Sequence, residues 1–380
     1  MKIIHTADLH LGRQFNGLAL DADHETILDQ IVSALVDHRA DALIIAGDIY
    51  DRASPPANAV RQFNDFLTKV ASETKAAVIM IAGNHDSGDR IGSMSIMTDT
   101  NRALIRGVVT ADEKPLVLAD AHGPVAFSGL PFAYEYAARE CFADEALETP
   151  QDVLAAQVAA ARRNVPAGAR WVLVAHAFVA GGSGSDSERP LTRVGGIETV
   201  SPQIFTGAHY VALGHLHKPQ SVGSHHIRYS GSPLAFGFDE ADSTKVMKLV
   251  EIDAAGQVAV EEIAFKPARK VSVMRGRHAE LLLGRPSSDF VKAILTDDAP
   301  VIDGMKRLRE VFPNACELSY EWSERAPSIK STGGVARGVA DPVNVLGDFL
   351  ELVRAERLSG SELEVAAAAL GRLRHQENAE

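Results

Sequence analysis

Short apolar runs alternate with longer amphipathic stretches through the first half of the chain. Residues 2–6, 41–46 and 77–82 are rich in apolar side chains and too short for helices, which is typical of buried strands. Between the first two runs, apolar side chains recur every three or four positions from Ile27 to Leu35, a pattern that predicts an amphipathic helix. Strands that alternate with helices indicate an α/β fold.

The same alternation continues towards the middle of the chain. Ser54 followed by two prolines predicts a helix that Ser54 caps and that extends to about Val70. Thr149 followed by Pro150 predicts another helix, to about Arg163. Further strands are predicted at residues 171–175, 210–213, 245–252 and 258–265. The extra strands at the end favour a sandwich of stacked sheets flanked by helices over a single open sheet.

The composition changes near residue 265 and again near residue 331. Five basic residues without an intervening acid begin the next segment: Lys266, Arg269, Lys270, Arg275 and Arg277. The predicted organisation is a large α/β domain over 1–265, a small α+β domain over 266–330, a glycine-rich linker over 331–342 and a helical segment over 343–380. In that last segment, Ser361 and Glu364 have the spacing of a capping box.

Bulk composition narrows the class of protein. The 380 residues contain two cysteines and no CxxC pair, which argues against a disulfide framework and against a cysteine-ligated zinc site. No apolar run reaches the roughly 20 residues that a membrane-spanning helix needs, and the start of the chain lacks a signal-peptide pattern. A cytoplasmic protein is therefore expected.

Five polar motifs stand at the ends of predicted strands. They are Asp8-Leu9-His10, Gly47-Asp48, Gly83-Asn84-His85-Asp86, Ala175-His176 and Gly214-His215-Leu216-His217. Ligands of open α/β sheets gather outside the carboxyl ends of the strands, so the five motifs are expected to meet in one cleft. Carboxylate, imidazole and amide groups without thiolates favour Mn²⁺, Fe²⁺ or Zn²⁺ over a Ca²⁺ cage.

The number of these groups predicts two metals rather than one. Asp8, His10, Asp48, Asn84, His176, His215 and His217 together exceed what one catalytic metal needs, since it keeps a coordination position open. Two metals about 3.5–4 Å apart and bridged by one carboxylate would use all seven. Asp48 is the expected bridge, because the preceding glycine permits a tight turn at the strand end.

Each motif alone also has an ordinary structural explanation. A DxH or GNHD sequence is often a polar turn, and a single histidine at the end of an apolar strand, such as His176, is more often a hydrogen-bonded core residue. The occurrence of all five in order at strand ends favours the metal site. The other histidines are expected not to be ligands: His5, His24, His38, His122, His209, His225, His226, His278 and His375.

The order of the five motifs resembles the signature of the calcineurin-like metallophosphoesterases. The sequences around these motifs, at residues 5–12 and 46–52, and a further segment at residues 229–234 resemble the DNA double-strand-break-repair nuclease branch of that family. The resemblance is strong over residues 1–265 and only architectural beyond them. It implies a metallophosphoesterase β-sandwich flanked by helices, a small α+β capping domain that contacts DNA, and C-terminal helices.

The resemblance also implies a role for each motif residue. One metal would be held by Asp8, His10, Asp48 and His217, and the second by Asp48, Asn84, His176 and His215. His85 would be the catalytic histidine beside the scissile phosphate, and the two ions would be Mn²⁺. Asp86 would either orient His85 or cap the turn.

The function implied is that of a metal-dependent DNA nuclease subunit. By resemblance it would act as a 3′ to 5′ exonuclease on double-stranded ends and as an endonuclease on hairpins and single strands, in DNA repair, recombination and replication at the nucleoid. Its partner would be an SbcC-type coiled-coil ATPase in a heterotetramer, with a homodimer through the nuclease domain. Two alternatives are a phosphoesterase for small phosphodiesters or nucleotides and a non-enzymatic scaffold; the complete ligand set argues against the scaffold.

A net charge of −12 is unusual for a protein that binds DNA. The candidate phosphate contacts are Arg13, Arg52, Arg90, Lys266, Arg269, Lys270, Arg275 and Arg277. A basic run of this kind is equally well explained as a solvated face. The apolar stripes of the C-terminal helices fit either the chain's own core or a partner surface.

Overall fold

The computed structural model describes residues 1–96, 99–188, 192–193, 196–197, 199–324, 347 and 359–365. The chain divides into two compact units, Met1–Ser272 and Val273–Glu380. The predicted linker at 331–342 and most of the predicted helical segment after it lie outside the described residues. No helix in the described part of the chain combines the length and apolar character that crossing a membrane requires.

The first unit contains two six-stranded sheets. The first sheet has the order β16-β15-β1-β4-β5-β6. In it β1, β4, β5 and β6 run parallel, and β15 runs antiparallel to both of its neighbours, β1 and β16. Its strands are β1 (Lys2–Thr6), β4 (Ala42–Ala46), β5 (Ala77–Ile81), β6 (Ala103–Arg106), β15 (Val246–Ile252) and β16 (Val258–Ala264). Two short strands, β2 (Gln14–Phe15) and β3 (Leu18–Ala19), form a separate hairpin.

The second sheet has the order β13-β14-β12-β9-β8-β7. In it β8, β9, β12 and β14 run parallel, and the edge strands β7 and β13 run antiparallel to their neighbours. Its strands are β7 (Leu116–Asp120), β8 (Gly123–Leu130), β9 (Arg170–His176), β12 (Tyr210–Gly214), β13 (Gln220–Val222) and β14 (Ser224–Tyr229). A short pair, β10 (Thr192–Arg193) and β11 (Gly196–Ile197), lies between β9 and β12 in the chain.

Apolar side chains of the two sheets interlock to form the central core. Ile44 and Ile79 of the first sheet pack in one buried cluster with Val172, Val174 and Ala212 of the second. The central strands β1, β4, β5, β9 and β12 are buried on both faces, which is why they are continuous apolar runs rather than alternating ones. The prediction of an α/β sandwich flanked by helices is confirmed.

Helices cover the outer faces of the sandwich. The helices of the first unit are α1 (Asp21–His38), α2 (Ala57–Glu73), α3 (Gly88–Ser93), α4 (Glu135–Phe142) and α5 (Pro150–Arg163). Thr149 and Asp152 form the capping box that starts α5, as its Thr-Pro sequence indicated. The prediction that Ser54 caps α2 was wrong. This helix begins at Ala57 after an extended Pro56, and no side chain caps it.

The second unit contains a three-stranded sheet of order β17-β18-β19, whose first strand begins just before the division between the units. Its elements are β17 (Val271–Gly276), α6 (His278–Leu281), β18 (Phe290–Leu295), α7 (Gly304–Val311), β19 (Ala315–Tyr320) and α8 (Glu321–Glu324). Val291, Leu308 and Phe312 are central to its core. A described fragment further on is helical from residue 360, and Ser359 and Glu362 cap it, not Ser361 and Glu364 as predicted.

Candidate metal centre

The five motifs meet at the carboxyl edge that the two sheets share. In the first sheet, Asp8 and His10 follow β1, Asp48 follows β4, and Asn84 and His85 follow β5; in the second sheet, His176 ends β9, and His215 and His217 follow β12. Backbone bonds tie the loops together, since the amide of Asp8 donates to the carbonyl of Gly47 over 3.0 Å and that of His10 to the carbonyl of Asp48 over 3.0 Å. The amide of His215 crosses between the sheets and donates to Asp8 Oδ1 over 2.9 Å.

Several of these residues adopt backbone conformations that are unfavourable for any residue other than glycine. Asp8, His10 and Asp48 lie in the left-handed region with φ of 54°, 47° and 50°, and His215 has φ of 105°. Each such residue costs on the order of 1–3 kcal/mol, so the surrounding fold must hold it in place. All four residues are buried at the strand ends.

Two glycines leave the space that the ligand groups occupy. A Cβ added at Gly47 would overlap His176 Nδ1, and one added at Gly83 would overlap Asp48 Oδ1. Any larger residue at either position would displace these two side chains. The glycines of the GD and GNHD motifs are therefore required by packing within the centre itself.

One group of ligand atoms gathers around His10 and His217. The two Nε2 atoms lie 3.2 Å apart, and the ligand atoms of Asp8, His10 and His217 all lie within 4.8 Å of one another. Asp48 Oδ2 lies 3.7 Å from His10 Nε2.

A second group of ligand atoms gathers around His176. Its Nε2 lies 2.9 Å from Asn84 Oδ1 and 3.5 Å from Asp48 Oδ2. His215 Nδ1 lies 3.2 Å from the same Asn84 oxygen. The single atom Asp48 Oδ2 therefore faces both groups, 3.7 Å from His10 Nε2 in the first and 3.5 Å from His176 Nε2 in the second.

The hydrogen bonding of His176 shows that the second group fits a cation. His176 Nδ1 lies 2.9 Å from the carbonyl of Ala46, which only accepts hydrogen bonds, so Nδ1 carries a proton. In the neutral ring, the lone pair on Nε2 would face the Asn84 and Asp48 oxygens, which also carry only lone pairs. Three converging lone pairs need a positive charge between them, either a proton or a metal ion.

The pKa values of this pair reflect the same demand for positive charge. Burial lowers the pKa of His176, but the Asp48 carboxylate outweighs burial and raises it to about 9. Burial opposes the charge of Asp48, yet His176, His10 and His85 outweigh it and hold the pKa of that carboxyl below its ordinary value. In the metal-free chain a proton on His176 supplies the positive charge that a metal ion would otherwise supply to His176, Asn84 and Asp48.

The lowered pKa values of His10, His215 and His217 favour the neutral imidazole that ligates metals. Burial lowers the pKa of His10 well below its ordinary value, that of His215 to about 3, and that of His217. His10 Nδ1 and Asn84 Nδ2 are buried without a hydrogen-bond partner among the described residues. Burial also raises the pKa of Asp8 well above its ordinary value. This donor set fits divalent metals bound by nitrogen and oxygen.

His85 lies at the open side of the centre, with 15% of its side chain exposed. Its Nδ1 lies 2.8 Å from the carbonyl of Asp51, so Nδ1 donates and Nε2 faces Asp48 Oδ2 at 4.0 Å. Its ligand atom also lies within 4.8 Å of those of His10 and Asp51. The ring can therefore reach a substrate at the centre, and the same geometry makes its role as a ligand the alternative to be tested.

Asp86 ties two of the motif loops together. Its carboxylate accepts hydrogen bonds from the amides of Ile49, Tyr50 and Gly83 over 3.1, 2.9 and 2.9 Å. Burial, and next the charge of Asp48, raise the pKa of Asp86 to about 7. These bonds fasten the loop after β4 to the loop after β5.

A buried polar network that the sequence did not indicate supports His217. Ser187 Oγ lies 2.6 Å from His217 Nδ1 and hydrogen-bonds Glu240, whose own carboxylate oxygen lies 3.4 Å from that nitrogen. Lys245 Nζ lies 2.5 Å from the other Glu240 oxygen. We refer to Ser187, Glu240 and Lys245 as the His217-supporting network. None of them belongs to a motif, so no local sequence signal marks them.

Arg13 lies beside the centre, and the other predicted basic contacts are scattered. The guanidinium of Arg13 lies 4.6 Å from the centre of the Phe236 ring and donates to the carbonyl of Ser187 over 3.0 Å. Phe236 in turn packs edge-on against His10 and His217. Arg52 is 64% exposed beside Asp51, and Arg90 is an exposed residue of α3.

The basic cluster that begins at Lys266 is divided between the two units. Lys266, Arg269 and Lys270 belong to the first unit, and Arg275 and Arg277 to the second. Arg269 is bound to the buried carboxylate of Asp23. Arg275 pairs with Glu321 over 2.5 Å, and Arg277 Nη2 lies 3.8 Å from Asp298. Much of this positive charge is matched by acids within the fold.

The comparisons with known proteins agree with this geometry. The model of the calcineurin-like phosphoesterase family matches residues 1–219, so the chain belongs to the calcineurin-like phosphoesterase family. The SbcD subunit of the SbcCD nuclease of Staphylococcus epidermidis is 32% identical over 323 residues, which cover 84% of this chain and 85% of the relative. The protein of the same name from Staphylococcus saprophyticus is 32% identical over 366 residues, 95% of this chain and 96% of the relative. Within the family, the chain groups with these SbcD proteins.

Solved structures give a more distant likeness. The TT1561 protein of Thermus thermophilus aligns with 69% of this chain and 98% of its own, with 15% identity and a TM-score of 0.39.

Proposed function

We propose that this chain is the nuclease subunit of an SbcCD-type complex and that it hydrolyses DNA phosphodiester bonds with two divalent metals, Mn²⁺ being the preferred ion. The names of its relatives support the nuclease activity. In this proposal it acts as a 3′ to 5′ exonuclease on double-stranded ends and as an endonuclease on hairpins and single strands, in DNA repair at the nucleoid.

The observation that carries the proposal is the position of Asp48 Oδ2 between two groups of ligand atoms. It lies 3.7 Å from His10 Nε2 and 3.5 Å from His176 Nε2. One carboxylate oxygen that faces two imidazoles from different sheets has the arrangement of a bridging ligand. A single-metal site would leave one of the two groups without a cation.

These groups support the ligand sets that the family resemblance implies, and a carboxylate oxygen of Asp8 also lies within 4.8 Å of the ligand atoms of Asp48 and His176. Asp8, His10, Asp48 and His217 hold one metal, and Asp48, Asn84, His176 and His215 hold the other. When bound, the two ions would neutralise phosphate oxygens and make water more acidic. His85 stabilises or protonates the leaving sugar oxygen, because it is half-buried at the open side and its Nδ1 is fixed by the Asp51 carbonyl.

DNA contact is proposed to rest mainly on the arginines beside the centre. Arg13 is held by Phe236 and Ser187, while Arg52 is exposed and follows the Asp48 loop. Arg90 follows the His85 loop in α3. Lys266, Arg269, Lys270, Arg275 and Arg277 remain weaker candidates because none of them lies next to a motif loop in the sequence.

The proposed partner is an SbcC-type coiled-coil ATPase, joined in a heterotetramer through a homodimer of nuclease subunits. The relatives' names describe one component of a complex, which supports a partner. The helical segment predicted over 343–380 is the proposed docking element. Co-expression with such an ATPase, followed by purification on a tag of this chain, would give one complex of both chains.

The test of the catalytic proposal compares two substrates. The full chain is incubated with Mn²⁺ and either a DNA hairpin or an aryl phosphodiester, and each reaction is repeated with a chelator. We expect chelator-sensitive cleavage of the hairpin. Turnover of the aryl diester without any DNA cleavage would instead favour the second candidate, a phosphoesterase for small phosphodiesters or nucleotides.

A further inference from the structure

An exposed pair of tyrosines stands at the same edge of the sandwich as the metal centre. Tyr134 is 45% exposed and Tyr136 is 66% exposed, whereas Tyr50, Tyr210 and Tyr229 are fully buried. Exposed aromatic rings are uncommon in this molecule, because among the described residues only Trp322, in the second unit, joins these two as a large exposed aromatic. The pair therefore has no role in the core of the first unit.

The two rings already have the geometry of a stack. The ring planes of Tyr134 and Tyr136 are inclined by 12°, and their centroids lie 5.8 Å apart. Phe132 packs edge-on against Tyr134, with centroids 5.0 Å apart and an angle of 85°. Tyr134 is the N-cap of α4 and Tyr136 lies in its first turn, so the helix start fixes both backbones. The stack is pre-organised, and its outer ring is open to solvent.

The position of the stack connects it to the centre. It follows β8, which runs parallel to β9, the strand that ends at His176. The amide of Phe132 donates to the carbonyl of Ala82 over 3.0 Å, and Ala82 is two residues before Asn84 in the chain. From Ala82 to Asn84 and from Phe132 to Tyr134, two residues of extended chain span at most about 7 Å each, so with the bond between them the backbones of Tyr134 and Asn84 lie at most about 20 Å apart, within a few nucleotides' reach.

We propose that Tyr134 and Tyr136 form a stacking platform for an unpaired base of the DNA strand that enters the metal centre. The inference rests on the proposed nuclease function and adds to it a subsite that prefers unpaired nucleotides. A flat neutral ring beside a phosphate-binding centre suits a base, since every base has a π-face and stacking requires no sequence. Bases inside a duplex are already stacked on their neighbours and do not gain this contact.

The test uses full-length variants and matched DNA substrates. Tyr136→Ala removes the outer ring, Tyr136→Phe keeps it, and Val117→Ala alters another exposed apolar side chain (43% exposed) on edge strand β7. Each variant is assayed with Mn²⁺ on a hairpin with an unpaired loop, on a blunt duplex with the same stem, and on an aryl phosphodiester. Binding to a labelled single strand and to a labelled duplex is measured by fluorescence anisotropy, and the molar mass by light scattering.

Base stacking on an aromatic side chain is worth about 1–3 kcal/mol, so Tyr136→Ala should weaken single-strand binding about 5- to 150-fold. Duplex binding and aryl diester turnover should stay unchanged, and Tyr136→Phe and Val117→Ala should behave like the wild type. Equal losses on single strand and duplex, or no loss at all, would overturn the platform while leaving the nuclease intact. A changed molar mass with unchanged DNA binding would assign the tyrosines to contact with a second copy. A wild-type chain that turns over only the aryl diester would overturn both proposals.

Discussion

The His217-supporting network gives a prediction that separates two serines of the same loop. Ser187 Oγ lies 2.6 Å from His217 Nδ1, while Ser185 Oγ lies 2.9 Å from Glu240 Oε1. Both hydroxyls contact the same buried carboxylate, so both substitutions disturb Glu240. Only Ser187→Ala also removes a direct partner of the proposed ligand.

The size of the effect follows from what remains after the substitution. Without Ser187, the nearest acceptor for the Nδ1 proton is Glu240 Oε1 at 3.4 Å, beyond good hydrogen-bond length. The His217 ring then loses the bond that fixes its tautomer and directs Nε2 into the centre. Loss of such an outer partner lowers metal affinity about 10- to 100-fold, which corresponds to about 1.4–2.8 kcal/mol.

The assay is a titration of Mn²⁺ into the metal-free full chain, with the bound ion followed calorimetrically or by electron paramagnetic resonance. Ser187→Ala should weaken one of two Mn²⁺ sites, and Ser185→Ala should leave both nearly unchanged. Thermal unfolding of the metal-free variants controls for global damage. Equal weakening by both substitutions, or tight binding in Ser187→Ala, would show that the hydroxyl does not position His217.

Four further predictions concern the centre and its surroundings. His85→Ala should lower DNA cleavage by about 10²- to 10⁴-fold while metal analysis still finds two ions per chain; a lost ion would make His85 a ligand. Asp48→Ala should remove both ions together, and one ion retained at full affinity would end its bridging role. The pKa of His176 is raised to about 9, so protonated His176 should stabilise the folded, metal-free chain. This contribution to the free energy of unfolding should be complete below the ordinary pKa of about 6.5 and should be lost as the pH rises through about 9. Urea unfolding across that pH range would measure it. Mn²⁺ must displace the proton on His176, and Asp8, whose pKa burial raises, must also be deprotonated, so the Mn²⁺ affinity should rise by at least about tenfold per pH unit below 9; a flat profile would contradict the assignment. Arg52→Ala should weaken all DNA substrates alike and reduce the slope of log affinity against log salt by about 1, whereas an unchanged slope would remove Arg52 from the interface.

The sequence predicted the framework of the sandwich because its strands carry strong local signals. The runs at 41–46 and 77–82 became β4 and β5, and Thr149 caps α5 as its neighbours indicated. The first residues of helices were predicted less accurately than the strands. Pro55 and Pro56 favour extended backbone, so α2 begins only at Ala57, and Ser359 rather than Ser361 caps the late helical fragment.

The site was predictable only as far as motifs reach. Asp48 and His176 stand in short patterns at strand ends, and the fold brings them within 3.5 Å. Glu240 and Ser187 are 53 positions apart, and nothing in their neighbourhoods distinguishes them from ordinary loop residues. Their meeting depends on how two loops pack, which local patterns do not encode. No local pattern marks Tyr134 and Tyr136 either, because they lie in no motif and far along the chain from the basic residues at 266–277.

The division of the ligand groups between two sheets has a consequence for the whole sandwich. One sheet supplies Asp8 and Asp48 and the other supplies His176 and His215, so ions held by all four would cross-link the two layers. Occupancy of the centre and cohesion of the layers are then linked equilibria, and an ion at 100 times its dissociation constant would add about 2.7 kcal/mol to the folded state. Chelation would therefore loosen the seam between the layers as well as stop hydrolysis, and amide exchange along β4 and β9 would increase with it.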